Sequence, residues 1–372
     1  MKKILLATTA MAAIAAFALA GCSSDSGRGD AGGDSSAAAG FPADSTIGVA
    51  LPDKTSENWV LAGQLFEDGL KEAGFKGDVQ YAGASNPVAD QQQQISAMVT
   101  GGAKVIIVGA ADGGQLATQA ADAKAAGATV IAYDRLILNT ADVDYYVAFD
   151  NFKVGQLQGQ ALLDGLAAAY PDKDSYNIEL FSGAATDANA PVFFNGAMDI
   201  LQPKIDDGTL KVVSGQTDIK QTATEKWAPE NARNRMDNLM TSTYSDTEID
   251  GVLSPNDTLG RAIIDSIADN GQTDHTPIVT GQDSEAASIP YIMEGKQYST
   301  IYKDTRALVK EAIAMATSLQ KGEEPTVNDT ESYDNGVKVV PADLLTPVIV
   351  TKDNAAEAYA ENPDLLALVQ KG

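Results

Sequence analysis

Short β-branched runs in this chain are followed, one after another, by planar or charged hydrogen-bonding side chains. Residues 54–59 follow the run 47–51, Asp134 and Arg135 follow 129–133, and residues 187–189 follow 177–182. Asn256 and Asp257 follow 251–254, Asp283 follows 278–282, and Lys303 follows a run ending at Tyr302. Trp59 and Trp227, the two tryptophans of the chain, stand among them. Carboxylates, amides and a guanidinium hold hydroxyl groups in defined planes, while an indole covers an apolar C–H face. The candidate set Lys54, Asn58, Trp59, Asp134, Arg135, Asn189, Trp227, Asn256, Asp257, Asp283 and Lys303 therefore suits a neutral, polyhydroxylated ring, with no metal or cofactor required. Taken singly, each residue has a plainer reading: an Asp after a strand is often a helix N-cap, and a Trp is often core.

Other chemistries find little support. Residues 27–32 match GxGxxG but lie in a Ser/Gly/Ala/Asp stretch with no strand before and no helix after. No P-loop, GxSxG elbow or HExxH is present. The single histidine, His275, reads as a solvated turn residue before Pro277, and it rules out any site needing two histidines. Asp172, Asp174 and Glu179 lack the glycine and downstream glutamate of a calcium loop and read as a charged loop. With 26 Lys+Arg against 51 Asp+Glu, the formal charge of -25 repels nucleic acid and anionic lipid.

The elements that must position the candidate residues show in the rhythm. From residue 46 short strands alternate with Ala-rich helical stretches through 149, and a second series runs from 151 to 302. The fold class is α/β, with two Rossmann-like lobes built on parallel sheets whose strand ends carry the ligand site. A mature chain of this length is comfortable as two cores rather than one. Residues 305–320 form another periodic helix, and 337–350 is strand-like but broken by Pro341 and Pro347; periodicity alone places neither.

Lys2 and Lys3 precede an apolar run over residues 4–20, followed by Gly21 and Cys22, which reads as a signal peptide over 1–21. Leu19-Ala20-Gly21-Cys22 looks like a bacterial lipobox and implies lipidation of Cys22, the only cysteine, so no internal disulfide forms. Residues 22–43 then serve as a Gly/Ser-type tether, and the protein is expected outside the cytoplasm, anchored to the cell membrane.

Residues 131–137, 149–151 with Val154 and Gly155, 254–257, 281–283 and 298–306 together resemble the type I sugar-binding proteins of ABC importers, most closely xylose-binding and multiple-monosaccharide-binding proteins. The resemblance covers residues 46 to about 354. It implies a hinged receptor, not an enzyme, in which Trp59 and Trp227 sandwich a monosaccharide such as xylose, glucose, galactose or arabinose. Asp134, Arg135, Asn189, Asn256, Asp283 and Lys303 would bind its hydroxyls. It further implies a monomer that delivers sugar to a permease, and three crossings between lobes. The N-terminal lobe would then take 44–149 plus about 304–330, and the C-terminal lobe 150–303 plus about 331–372. Asn58 departs from the pattern, since those relatives usually carry arginine before the tryptophan; this bears on the sugar spectrum. Alternatives are an autoinducer or chemotaxis receptor of the same fold and, in another class, an extracellular glycosidase, whose carboxylate spacing is a three-dimensional matter.

Overall fold

The computed structural model describes residues 40–371 except 53, 55 and 272–274; the leader, Cys22 and most of the tether lie outside the described residues. The first sheet contains β1 (Thr46–Leu51), β2 (Lys76–Tyr81), β3 (Val105–Val108), β4 (Thr129–Tyr133) and β5 (Tyr145–Phe149). The second contains β6 (Tyr176–Leu180), β7 (Leu210–Val212), β8 (Gly251–Leu253) and β9 (Ile278–Val279). β10 (Ser299–Tyr302), β11 (Ala342–Leu345) and β12 (Val348–Thr351) complete the strands. The first sheet runs in the order β11-β5-β4-β3-β1-β2 and the second in the order β7-β6-β8-β9, with every pairing in both parallel.

Both faces of the central strands are covered, which is why these strands read as unbroken apolar runs. Ile47, Val49, Leu51, Val105 and Ile107 pack with Phe66 and Leu70 of α1 (Glu57–Glu72). Ile106, Val108 and Val130 pack instead with Ile95 and Met98 of α2 (Pro87–Thr100) and Ala120 and Ala123 of α3 (Ala117–Ala125). In the second lobe, α4 (Asn151–Ala169) and α5 (Asn189–Asp206) cover one face, with Leu162, Leu166, Phe194 and Leu201 against Ile178 and Leu180. The short α6 (Ile219–Thr222) precedes α7 (Pro229–Ser242) and α8 (Asp257–Asp269), which cover the other face through Met236, Leu239, Ile263 and Ile267. Each fully buried Leu, Ile or Phe contributes roughly 1.5–3 kcal/mol.

After α9 (Ile289–Met293) and β10 the chain returns to the first lobe as α10 (Thr305–Lys321), whose Leu308, Ala312 and Met315 join the core of β1 and α1. The tail corrects the expected boundary. Residues 331–345 stay with the first lobe: Tyr333 and Val340 are buried in its core, and β11 pairs with β5 from Ala342↔Tyr146 to Leu345↔Phe149. This pairing satisfies the free backbone groups of β5, and Pro341, which has no N–H to donate, sits just ahead of the strand. Only beyond Leu345 does the chain change sides, where β12 pairs antiparallel with β10 and α11 (Ala355–Ala358) and α12 (Pro363–Val369) follow. The chain thus passes between sheets at Asp150, at Lys303–Asp304 and at Thr346–Pro347.

The tether also ends earlier than residue 43. The Phe41 N–H donates to the Gln320 carbonyl at 3.1 Å, and its ring lies 6.5 Å from that of Phe75. Glu179 is no loop residue either: it is buried in β6, accepting from the Ser214 N–H at 3.0 Å and the Tyr244 hydroxyl at 2.8 Å.

Candidate functional site

In each sheet the winding reverses beside the first strand, between β1 and β3 and between β6 and β8, and a crevice opens there at the carboxyl ends of the strands. A cavity of about 670 Å³ occupies the space where the two crevices face each other. Asn58, Trp59, Asp134, Arg135, Asn189, Trp227, Asn256, Asp283 and Lys303 all line it.

The two indoles are seated alike on opposite walls. Trp59 lies against Gly109, just past β3, and Trp227 lies against Gly183, just past β6; a Cβ at Gly183 would overlap the indole ring. Trp59 is held edge-on by Tyr133 at 6.1 Å and carries the Arg135 guanidinium 5.2 Å from its ring centre. Trp227 has φ 53°, in the left-handed region, and its Nε1 donates to Asp187 Oδ2 at 3.1 Å.

The polar groups between them are already fixed. Asp187 also accepts the Arg135 Nε across the cleft at 3.0 Å and the Asn189 N–H at 2.9 Å. Asn189 Nδ2 donates to the Asp134 carbonyl at 2.7 Å, and so does the Tyr146 hydroxyl at 2.6 Å. Lys303 Nζ, at the hinge, pairs with Asp283 Oδ1 at 2.8 Å. Asn256 caps α8 by accepting from the Leu259 N–H at 2.9 Å and also lines the cavity, so capping does not take it out of the cleft. On the α1 side the Asn58 amide donates to the Asp283 carbonyl and Ser56 Oγ to Glu285 Oε1, each at 3.3 Å.

A profile described as a periplasmic binding protein domain matches residues 47–324. The chain is 46% identical over 325 residues to a multiple sugar-binding periplasmic receptor of Rhizobium radiobacter, covering 86% of this chain and 91% of that one. The chain belongs to the periplasmic binding protein family. Within the family it is also 35% identical over 316 residues to a D-xylose-binding periplasmic protein of Escherichia coli, covering 85% and 89% of the two chains. Among solved structures it is similar to an ABC transporter solute binding protein of Clostridium phytofermentans with bound β-D-glucose. That match has TM-score 0.81 and 39% identity, and covers 86% of this chain and 99% of the other. These periplasmic binding proteins are receptors rather than enzymes, and the type I family fold is the one seen here. Among the described residues no group of His, Cys, Asp or Glu could hold a metal ion, and no helix is long and apolar enough to cross a membrane.

Two expected residues fall outside the cavity. Lys54 is exposed and stands 4.4 Å from the Tyr81 ring centre, a cation–π placement on the rim. Asp257 has no exposed surface: it follows the cap Asn256, and one step of a helix turns its side chain about 100° away from the cap's, into the lobe. There it accepts from the Glu285 N–H at 2.9 Å, Thr300 Oγ1 at 3.0 Å and Gln297 Nε2 at 2.7 Å. Sequence reasoning placed Asp187 in the right loop without giving it a role. It missed Phe193, which lines the cavity from the first turns of α5 beneath Lys303 at 5.4 Å; no strand-end signal marks it.

Asp134 keeps part of its surface open to the cavity, yet protein surrounds it in depth, and that burial raises its pKa. Lys303 and Arg135 oppose the rise; Asp187 and Asp283 add to it. For Lys303 burial works against the charge, but Asp283, Asp134 and Asp187 outweigh it and hold the ammonium above its ordinary value. Asp257 and Glu285 are raised too, first by burial and then by neighbouring carboxylates. A carboxyl whose folded pKa lies above its unfolded value binds protons more tightly when folded, so it adds stability as pH falls through the folded value. The self-repulsion of a -25 chain eases in the same direction. The depressed carboxyls of Asp304 and Asp329 lose stability only below about pH 4, outside this window. Thermal unfolding of the sugar-free protein should therefore shift upward as pH falls from neutrality toward the ordinary carboxylate range, and an unchanged or lower melting temperature would show that burial does not raise these carboxyls.

Proposed function

We propose that this chain is the extracytoplasmic receptor of an ABC importer, tethered to the cell membrane through lipidated Cys22, and that it captures one neutral aldose by hinge closure and passes it to a permease. The observation that carries the reading is the pair of indoles, each backed by a glycine on opposite walls, with a prearranged row of carboxylates, amides and cations between them. A pyranose would lay its C–H faces on Trp59 and Trp227 and its hydroxyls against Asp134, Arg135, Asn189, Asn256, Asp283 and Lys303. The relatives named for xylose and for multiple sugars, and the structure holding glucose, support a monosaccharide of that type. Sugar contacts made by both lobes at once favour the closed state, which is the form a permease can read.

The test is calorimetric titration of the mature protein with xylose, glucose, galactose and arabinose, followed in parallel by tryptophan emission. Because both tryptophans line the cavity, a sugar that binds should shift or quench emission, and Trp59→Phe and Trp227→Phe should each keep a response from the remaining indole while binding more weakly. Binding by none of the four sugars would sink the reading. Binding with all three spectra unmoved would remove the sandwich.

A further inference from the structure

Residues 91–94 are four consecutive glutamines in the second turn of α2. Glutamine is mostly a surface residue, and Gln93 is exposed accordingly. Gln91 has no exposed surface at all. A buried amide is costly unless both of its ends are bonded, and this one is bonded three times. Its Nε2 donates to the Gly109 carbonyl at 2.8 Å and to the Ala50 carbonyl at 3.2 Å, and its Oε1 accepts from the Ala111 N–H at 2.8 Å. Two carbonyls and one N–H leave the amide a single orientation. Gln94, three residues on and therefore on the same side of the helix, donates to the Tyr81 carbonyl at 2.8 Å, where β2 ends. The run thus meets the carboxyl ends of three neighbouring strands, β3, β1 and β2.

What Gln91 grips is the seat of the first indole. β1 and β3 flank the crevice of the first lobe, and the Gly109 N–H makes the last bond between them, to the Ala50 carbonyl at 2.9 Å. Past that bond Gln91 takes over, holding residues 109–111 from both ends. The segment carries two side chains of the proposed sugar site. Trp59 packs so closely on Gly109 that a Cβ there would stand 2.9 Å from the ring. The Ala110 carbonyl, between the two gripped groups, accepts from Arg135 Nη1 at 3.3 Å, and the same guanidinium lies over Trp59 and pairs with Asp187. A binding constellation has to be held within about 0.5 Å of its productive geometry. Any shift of this segment reaches the indole and the guanidinium together, whereas Trp227 is seated on Gly183 in the other lobe.

We propose that Gln91, which lines no part of the cavity, is a positioning residue for sugar capture: by clamping residues 109–111 it sets the Trp59 indole and the Arg135 guanidinium where the ring meets them. The inference rests on the sugar-receptor reading and adds to it the residue that holds one wall of the slot.

The experiment compares Gln91→Met and Gln91→Glu with wild type in the mature protein. The readouts are thermal melting, calorimetry with xylose, glucose, galactose and arabinose, and emission in Trp227→Phe and Trp59→Phe backgrounds, where a single indole reports. Methionine keeps the unbranched shape of glutamine and makes none of its bonds, so the Gly109 carbonyl and the Ala111 N–H go unmet while the Ala50 carbonyl keeps the Gly109 N–H. It should weaken the sugar that wild type binds best by about tenfold or more and shift the sugar-free emission of Trp59, with Trp227 moving less than about half as far. Glutamate changes the shape least, keeps the acceptor for Ala111 and sets an oxygen against the Gly109 and Ala50 carbonyls, which makes it the safeguard should the methionine variant melt early. It should lose about threefold or more and again move Trp59 further than Trp227. A folded variant with wild-type affinity and unmoved Trp59 emission overturns the proposal. So does equal movement of both indoles, the mark of general loosening, and so does failure of both variants to fold, which assigns Gln91 to the fold alone. If wild type binds none of the four sugars the receptor reading falls, while the Trp59 emission of the sugar-free variants still decides whether Gln91 sets the seat.

Discussion

Asp283→Ala should weaken sugar binding by about 2–4 kcal/mol, and Arg135→Ala by a comparable amount. Asp283 pairs with Lys303, which is only 9% exposed, so alanine leaves an ammonium without its nearest counter-charge in a cleft that the sugar seals from water. Removing Arg135 strands Asp187 in the same way, with only the Trp227 indole and the Asn189 N–H left to it, and takes away the guanidinium that stacks on Trp59. Without sugar, cavity water can hydrate the abandoned partners, so melting temperature should move far less than affinity. The predicted loss corresponds to roughly 30- to 1,000-fold in Kd, well within calorimetric range. If both variants bind the cognate sugar as wild type does, the site lies elsewhere.

Much of this geometry was legible because the physics that shapes the sheets also writes their sequence. β1, β3 and β4 are covered on both faces, so selection for burial leaves apolar runs rich in β-branched residues, and the strand-end rule then points, after β4, at the loop holding Asp134 and Arg135. β11 read as strand-like but could not be placed: of Ala342–Leu345 only Ala342 is buried, and its partner β5 is far away in sequence. Asn256 and Asp257 were indistinguishable as neighbours after a strand, whereas the helix they begin sends one to the cavity and the other into the lobe.

Asp257 should prove to be a positioning residue, with Asp257→Ala costing about 2–4 kcal/mol of stability and weakening sugar binding although the side chain lines no part of the cavity. The loop that presents Asp283 is strained: Asp283 at φ 93° and Ser284 at φ 52° are consecutive non-glycine residues in the left-handed region, each costing on the order of 1–3 kcal/mol. Ties on every side hold it there. Asp283 N–H donates to the Ile301 carbonyl at 2.8 Å, Ser284 N–H to Thr300 Oγ1 at 3.1 Å, and the Tyr359 hydroxyl to Ser284 Oγ at 2.8 Å. Asp257 fixes the end of the loop through the Glu285 N–H and orients Thr300, itself an anchor of Ser284. Alanine leaves three buried donors unpaired, partly offset by relief of the cost of burying a carboxylate, which is what raises the pKa of Asp257. Asp257→Asn separates geometry from charge. Its carbonyl oxygen can keep both Glu285 and Thr300, and only the contact to Gln297 suffers, because Gln297 Nε2 already donates to the Ser299 carbonyl at 3.0 Å and turning the amide over to accept would break that bond. The asparagine variant should therefore keep most of the stability and most of the affinity that alanine loses. Alanine with wild-type melting and affinity would show that the loop holds itself, and asparagine failing as badly as alanine would place the requirement in the negative charge rather than in the acceptor geometry.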